Sequence, residues 1–202
     1  MILTKKKDLD EIIGNLGSAK KILVLGCGTC VTVHKTGGSK EARKLASAIK
    51  LAFKGKRKVD AYSDVVLRQC EPDMVAELSE EIDEYDAIVS LACGAGAQLV
   101  AEVYQTKRLV PGLDTQYIGV VKPEGEREYC RGCGRCIIGE TVGICPITGC
   151  AKSMLNGPCG GVNDGMCEVE GRGKCVWVMI FNKMKEMGML DDFMKVRTRR
   201  GR

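Results

Sequence analysis

Twelve cysteines in 202 residues, eight of them between Arg127 and Cys175, constrain this chain more than any other feature. The crowded stretch also carries Gly132, Gly134, Gly143, Gly149, Gly157, Gly160 and Gly161, with few large aliphatic residues. So little apolar area cannot fold the segment unaided, and ligand bonds to metal must supply much of its stability. The rest of the composition is ordinary: 45% hydrophobic and 28% charged residues describe a soluble globular chain and exclude disorder and collagen-like repetition.

Ahead of this stretch, residues 1 to 121 read as alternating strand and helix. Lys21-Ile-Leu-Val-Leu25 is a buried-strand run that breaks into Gly26-Cys-Gly-Thr-Cys30, and Gly38 to Phe53 spaces Ala42, Leu45, Ala46, Ile49 and Ala52 as a helix does. The unit recurs as Lys58–Tyr62 with a helix near Pro72 to Ile82, and as Asp86–Leu91 with a helix near Gly96 to Tyr104. A last strand fits Tyr117–Val121. This order predicts an α/β fold with an open, mostly parallel sheet of the Rossmann or flavodoxin-like kind. Residues 122–202 form the cysteine-rich, metal-stabilised domain, followed by a helix near Val176–Met187 and a basic tail. Trp177, Ile180, Phe181, Met184 and Met187 share one face of that helix and are expected to pack on the chain's own cores.

The formal net charge is +5, with much of the excess in Lys5–Lys7 and Lys195–Arg202. No stacking aromatics interleave with these charges, so the tail reads as solvated and nucleic acid is not an expected partner. Met1–Thr4 followed by lysines lacks the order of a secretory signal, and no apolar run approaches the ~20 residues of a membrane helix. A reducing cytoplasm is therefore expected, where cysteines point to metal rather than to disulfides.

The cysteines fall into two constellations. Cys27, Cys30, Cys70 and Cys93 each follow a predicted strand, and the carboxyl-end loops of a parallel sheet meet at one edge. Four thiolates there suit one tetrahedral zinc or one 4Fe-4S cube, and the single C-x-x-C favours the cube. Gly26-Cys-Gly-Thr-Cys-Val31 departs from a dinucleotide fingerprint at Val31, so a nicotinamide site is not expected. The only histidine, His34, reads as a solvated loop residue. In the second constellation, Cys130, Cys133 and Cys136 can wind around three corners of a cube, with a fourth ligand from a remote cysteine. The remainder of Cys145, Cys150, Cys159, Cys167 and Cys175 supply another four-ligand site, with the pairing open. Zinc suits either set of thiolates, which leaves a structural zinc staple as the alternative at one site.

Cys130-Arg-Gly-Cys-Gly-Arg-Cys136, Thr141-Val-Gly-Ile-Cys-Pro146, Cys150–Gly161 with its Leu-Asn-Gly-Pro-Cys-Gly-Gly string, Cys167-Glu168 and Cys175-Val-Trp177 resemble the small, MetV-type subunit of methylenetetrahydrofolate reductase. Gly26–Cys30 with Gly37-Gly38 resembles that subunit's N-terminal domain. The resemblance implies a non-catalytic iron-sulfur subunit with two or three 4Fe-4S clusters that passes electrons to a MetF-type flavoprotein. FMN would sit on that partner, in the acetyl-CoA (Wood-Ljungdahl) or one-carbon metabolism of anaerobes. A ferredoxin or a heterodisulfide-reductase-like assembly would be the donor. Two other readings compete: a zinc-stabilised adaptor without redox role, and a thiol-disulfide protein using Cys27 and Cys30.

Overall fold

The computed structural model describes residues 1–78 and 82–198. The chain divides into two compact units, Met1–Tyr117 and Ile118–Arg202.

Unit 1 contains β1 (Ile2–Lys6), α1 (Leu9–Leu16), β2 (Lys21–Cys27), α2 (Cys30–Val33), α3 (Ser39–Phe53), β3 (Asp60–Val66), α4 (Pro72–Ala76), β4 (Ala87–Leu91), α5 (Gly94–Val103) and β5 (Arg108–Pro111). Four of the strands form a parallel sheet in the order β3-β2-β4-β5. The run Ile22–Leu25 occupies the middle because it is apolar on both faces, as an inner parallel strand must be. Ile22 and Val24 pack with Ile12, Leu16, Ala46 and Ile49 on one face, while Leu23 and Leu25 pack with Val75, Ile88 and Val100 on the other. At the sheet's amino end, the Asp86 carboxylate accepts the backbone N–H groups of Lys20 and Lys21, each at 2.8 Å, tying the start of β2 to the start of β4.

After β2 the chain lays β3 on one side of it and β4 on the other. This reversal opens a crevice beyond the carboxyl ends of the strands, the place where open α/β sheets hold ligands.

Two sequence expectations need revision. The fourth parallel strand is Arg108–Pro111, not Tyr117–Val121. Those residues belong to β6 (Leu113–Lys122), which turns at Pro123-Glu124 and pairs antiparallel with β7 (Gly125–Cys130). Together with β1 they form a second sheet, ordered β1-β6-β7. The cause is chemical: β6 leaves most of its residues exposed and is followed at once by a turn, which makes a hairpin rather than a crossover. The helix expected over Pro72–Ile82 spans Pro72–Ala76, and residues 79–81 lie outside those described.

Unit 2 continues from Ile118 with a 3-10 turn (Ile138–Thr141), α6 (Pro146–Gly149), α7 (Val176–Glu186) and α8 (Leu190–Phe193). Its core gathers on α7, where Val176, Trp177, Ile180 and Met184 are buried against Val142, Ile144, Met189 and Phe193. The Trp177 indole N–H donates to Met154 O at 2.9 Å, and its ring meets Phe193 edge-on at 5.9 Å. The apolar stripe is narrower than its spacing predicts, because Phe181 and Met187 remain exposed.

The basic tail is not simply solvated. Arg197 is buried: its guanidinium lies 5.7 Å over the Trp177 ring and donates to Glu140 O at 2.9 Å. Its backbone is clamped by Asn156, which accepts Arg197 N–H at 2.6 Å and donates to Arg197 O at 2.8 Å. A planar, weakly hydrated guanidinium can stack against an aromatic face and still donate hydrogen bonds in its own plane, which a lysine's compact ammonium does not. Residues 199–202 of the tail lie outside the described residues.

Candidate metal centres

None of the twelve cysteines is in a disulfide. In unit 1, Cys27 ends β2, and its backbone N–H donates to Gly37 O at 3.0 Å while the next residue, Gly28, donates to Val66 O at 2.9 Å. These bonds fold the Cys27 loop back over the sheet end, with Cys27 Sγ 3.8 Å from Leu67 O and 3.7 Å from Thr29 Oγ1. Cys30 opens α2 in the same loop, Cys70 lies in the connection leaving β3, and Cys93 is the residue before α5.

Partial burial pushes the Cys70 thiol pKa up, and the neighbouring Cys93 and then Cys27 sulfurs push it further, because a second thiolate nearby disfavours the first. His34, read from sequence as a solvated loop residue, is half-buried, and its Nδ1 accepts the Thr4 backbone N–H at 3.4 Å. Val31, the residue that breaks the dinucleotide pattern, is buried in the core.

In unit 2, Cys150, Cys159, Cys167 and Cys175 line one cavity of about 20 Å³, closed on its apolar side by Val176 and Trp177. Three segments bring them there. Cys150 follows α6, and Cys159 sits in the Pro158–Gly161 turn. Cys167 and Cys175 flank a small antiparallel turn, fixed by Cys167 N–H to Gly173 O at 2.8 Å and Cys175 N–H to Gly165 O at 2.9 Å. Lys152 and Glu168 form an ion pair at the edge of this cavity. Glu168 first and then the Cys159 sulfur hold the Lys152 ammonium above its usual pKa, and Lys152 holds the Glu168 carboxyl below its own.

The other four thiols lie elsewhere in unit 2. Cys130 closes β7, and the Gly132 N–H points at its sulfur at 3.3 Å. Gly132 and Gly134 take φ of +60° and +77°, left-handed conformations that let the chain coil between Cys130, Cys133 and Cys136. Cys145 is the residue before α6, and α6 packs beside β7.

Among the described residues, no three His, Cys, Asp or Glu side chains already stand as a formed metal cage. The donor chemistry nonetheless fits a thiolate-bound metal or cluster. Four cysteines lining one cavity, and four cysteines in the loops after the parallel strands, are soft ligands of the kind such groups take. Spacing did not point to Lys152, Glu168 or the buried Gln69. A fully buried amide next to a cysteine betrays itself only once its hydrogen bonds are seen.

No helix among the described residues is long and apolar enough to cross a membrane. No curated protein and no solved structure matches the chain. Residues 110–201, which hold all eight of the crowded cysteines, match the family described as "Methylene-tetrahydrofolate reductase C terminal".

Proposed function

We propose that the chain is a metal-thiolate electron-transfer subunit of a methylenetetrahydrofolate reductase system, working beside a MetF-type flavoprotein that carries FMN. The observation that carries this reading is the match to the reductase family over a segment that holds eight cysteines, none of them in a disulfide. A 4Fe-4S group exchanges one electron with little rearrangement, and this is the chemistry such a group would bring. The chain's own residues hold and orient it. Cys27, Cys30, Cys70 and Cys93 would serve unit 1. In unit 2, the cavity groups Cys150, Cys159, Cys167 and Cys175, which leaves Cys130, Cys133, Cys136 and Cys145 for the other site. The packing of α6 beside β7 supports Cys145 as the remote ligand.

Backbone N–H groups near the sulfurs, such as Gly132 on Cys130, and the Lys152 ammonium beside Cys159 would stabilise the charge that accumulates on thiolate-bound metal. Electrons arriving singly, from a ferredoxin or a heterodisulfide-reductase-like donor, could then be handed to a flavin that takes two.

One observation favours a second reading at a single site. A cavity of about 20 Å³ matches the space of about one water molecule, which suits a lone zinc in the Cys150 set. Anaerobic iron, sulfide and zinc analysis with electron paramagnetic resonance after dithionite separates the two. The electron-transfer reading expects reducible iron centres, with zinc at most at the Cys150 set. A folded, colourless protein that binds only zinc overturns electron transfer and leaves a zinc-built adaptor.

A further inference from the structure

Gln69 has no accessible surface, yet it carries a polar amide into the interior of unit 1. Its Nε2 donates to Leu25 O at 2.9 Å and to Gly26 O at 3.0 Å, the two residues of β2 just before Cys27. Its Oε1 accepts the Ser90 hydroxyl at 2.6 Å, on β4 and just upstream of Cys93. The residue after it in sequence is Cys70. The start of α5 presses against the same side chain: a Cβ on Gly96 would lie 2.9 Å from the Cβ atoms of Gln69 and Ala92.

The ladder bonds of the sheet cannot do this work. The β2–β3 register ends at Cys27–Val66 and the β2–β4 register at Gly26–Leu91, so Cys70 and Cys93 stand beyond the last rung. Past that point Gly28 N–H still reaches Val66 O and Gly94 N–H reaches Thr115 Oγ1, but neither bond joins all three thiol-bearing segments. Gln69 does so with both halves of its amide, two donors to β2 and one acceptor to β4. Methionine would match its length without either function, and an ionised glutamate could not donate to the two carbonyls.

We propose that Gln69, braced by Ser90, is the positioning residue of the unit 1 centre: it holds the Cys27, Cys70 and Cys93 segments converged whether or not a metal is bound. This rests on the reading of those thiols as a metal site. It also explains why a dry interior keeps a polar group that is costly unless every one of its bonds is made.

The test uses the full chain, with Gln69→Met and Ser90→Ala beside the wild type. The metal-loaded proteins are challenged with a chelator, and iodoacetamide labelling of each cysteine is followed by mass spectrometry, with circular dichroism reporting the fold. In Gln69→Met, Cys27, Cys70 and Cys93 should be labelled about tenfold faster or more, the size expected when three ordinary net hydrogen bonds are lost. Cys150, Cys159, Cys167 and Cys175 should keep the wild-type rate. Ser90→Ala, which barely changes volume, should give a smaller acceleration at the same three thiols.

Wild-type rates at Cys27, Cys70 and Cys93 in folded Gln69→Met overturn the proposal. If that variant does not fold, wild-type rates in Ser90→Ala overturn it instead. Wild-type protein that holds no metal at these thiols overturns the metal reading alone. The clamp is then read by diamide oxidation of the metal-free chain, which should join Cys70 to Cys27 or Cys93 in wild type and about tenfold less in Gln69→Met; equal yields overturn it.

Discussion

In unit 1 the thiols stand at the rim of a sheet whose inner strand, Ile22 to Leu25, is sealed by helices on both faces. In unit 2 the buried core of five residues includes Cys175 itself, and three of the five, Cys175, Val176 and Trp177, also wall the four-cysteine cavity. The first region has a scaffold that exists before any ligand arrives. The second has its ligand site and its core in the same place, so filling one consolidates the other. Thiol count alone does not distinguish the two cases; what does is how much apolar surface each region can bury without them.

Metal removal should show the largest difference between the units. Stripping with a chelator should lower the amide protection of Val176–Glu186 by several orders of magnitude, because binding worth about 10 kcal/mol or more becomes folding free energy in small thiolate domains. The amides of β2 and β4 should keep most of theirs. Hydrogen exchange with mass spectrometry reads both units in one sample, and equal loss in the two would erase the distinction.

A smaller effect should come from Ile180→Ala, which empties the middle of the unit 2 core. It should cost about 2–5 kcal/mol. Trp177 is the chain's single tryptophan and lies in that core, so its fluorescence follows unit 2 through urea while unit 1 stays silent. The Trp177 transition should move to lower urea with no change in the protection of β2.

The smallest effect belongs to unit 1 and to acid. Backbone N–H bonds from Lys21 and then Lys20 hold the Asp86 carboxyl below its ordinary pKa. The native value is depressed, so the stability Asp86 gives is fully present above the unfolded carboxyl range and is lost as pH falls through the lower native value. Asp86→Asn should therefore be less stable than wild type at neutral pH, and the gap should shrink below about pH 4. A gap that stays constant to pH 2, in urea midpoints followed by circular dichroism, would remove this role.

Much of unit 1 was legible because burial on both faces writes itself as an unbroken apolar run, as in Lys21–Leu25, and as helical spacing in Ala42–Ala52. Arg108–Pro111 escaped because a four-residue edge strand carries too few residues to show a pattern. The hairpin of β6 and β7 was hidden by charge, since its exposed residues look like linker. That Cys27, Cys30, Cys70 and Cys93 all lie at or just after the ends of strands of the parallel sheet was readable from the order of the elements. Gln69 was not, because its partners are backbone oxygens that no side-chain pattern announces. In unit 2 the cysteines were plain, but their grouping depends on turns such as Gly165–Cys175, whose long-range hydrogen bonds leave no periodic trace. Arg197 was misread for a related reason: a basic run looks the same whether it faces solvent or lies on a tryptophan.

Gly37 shows what this kind of construction demands. Its carbonyl receives the Cys27 amide, and a single added methyl at its Cα would run into the Leu91 carbonyl oxygen. Main chain here touches main chain, with no flexible side chain between them to absorb an intrusion. The position is therefore among the least forgiving in the unit despite bearing no reactive atom, and an alanine there would lever the entire cysteine-bearing loop away from the strand ends beneath it.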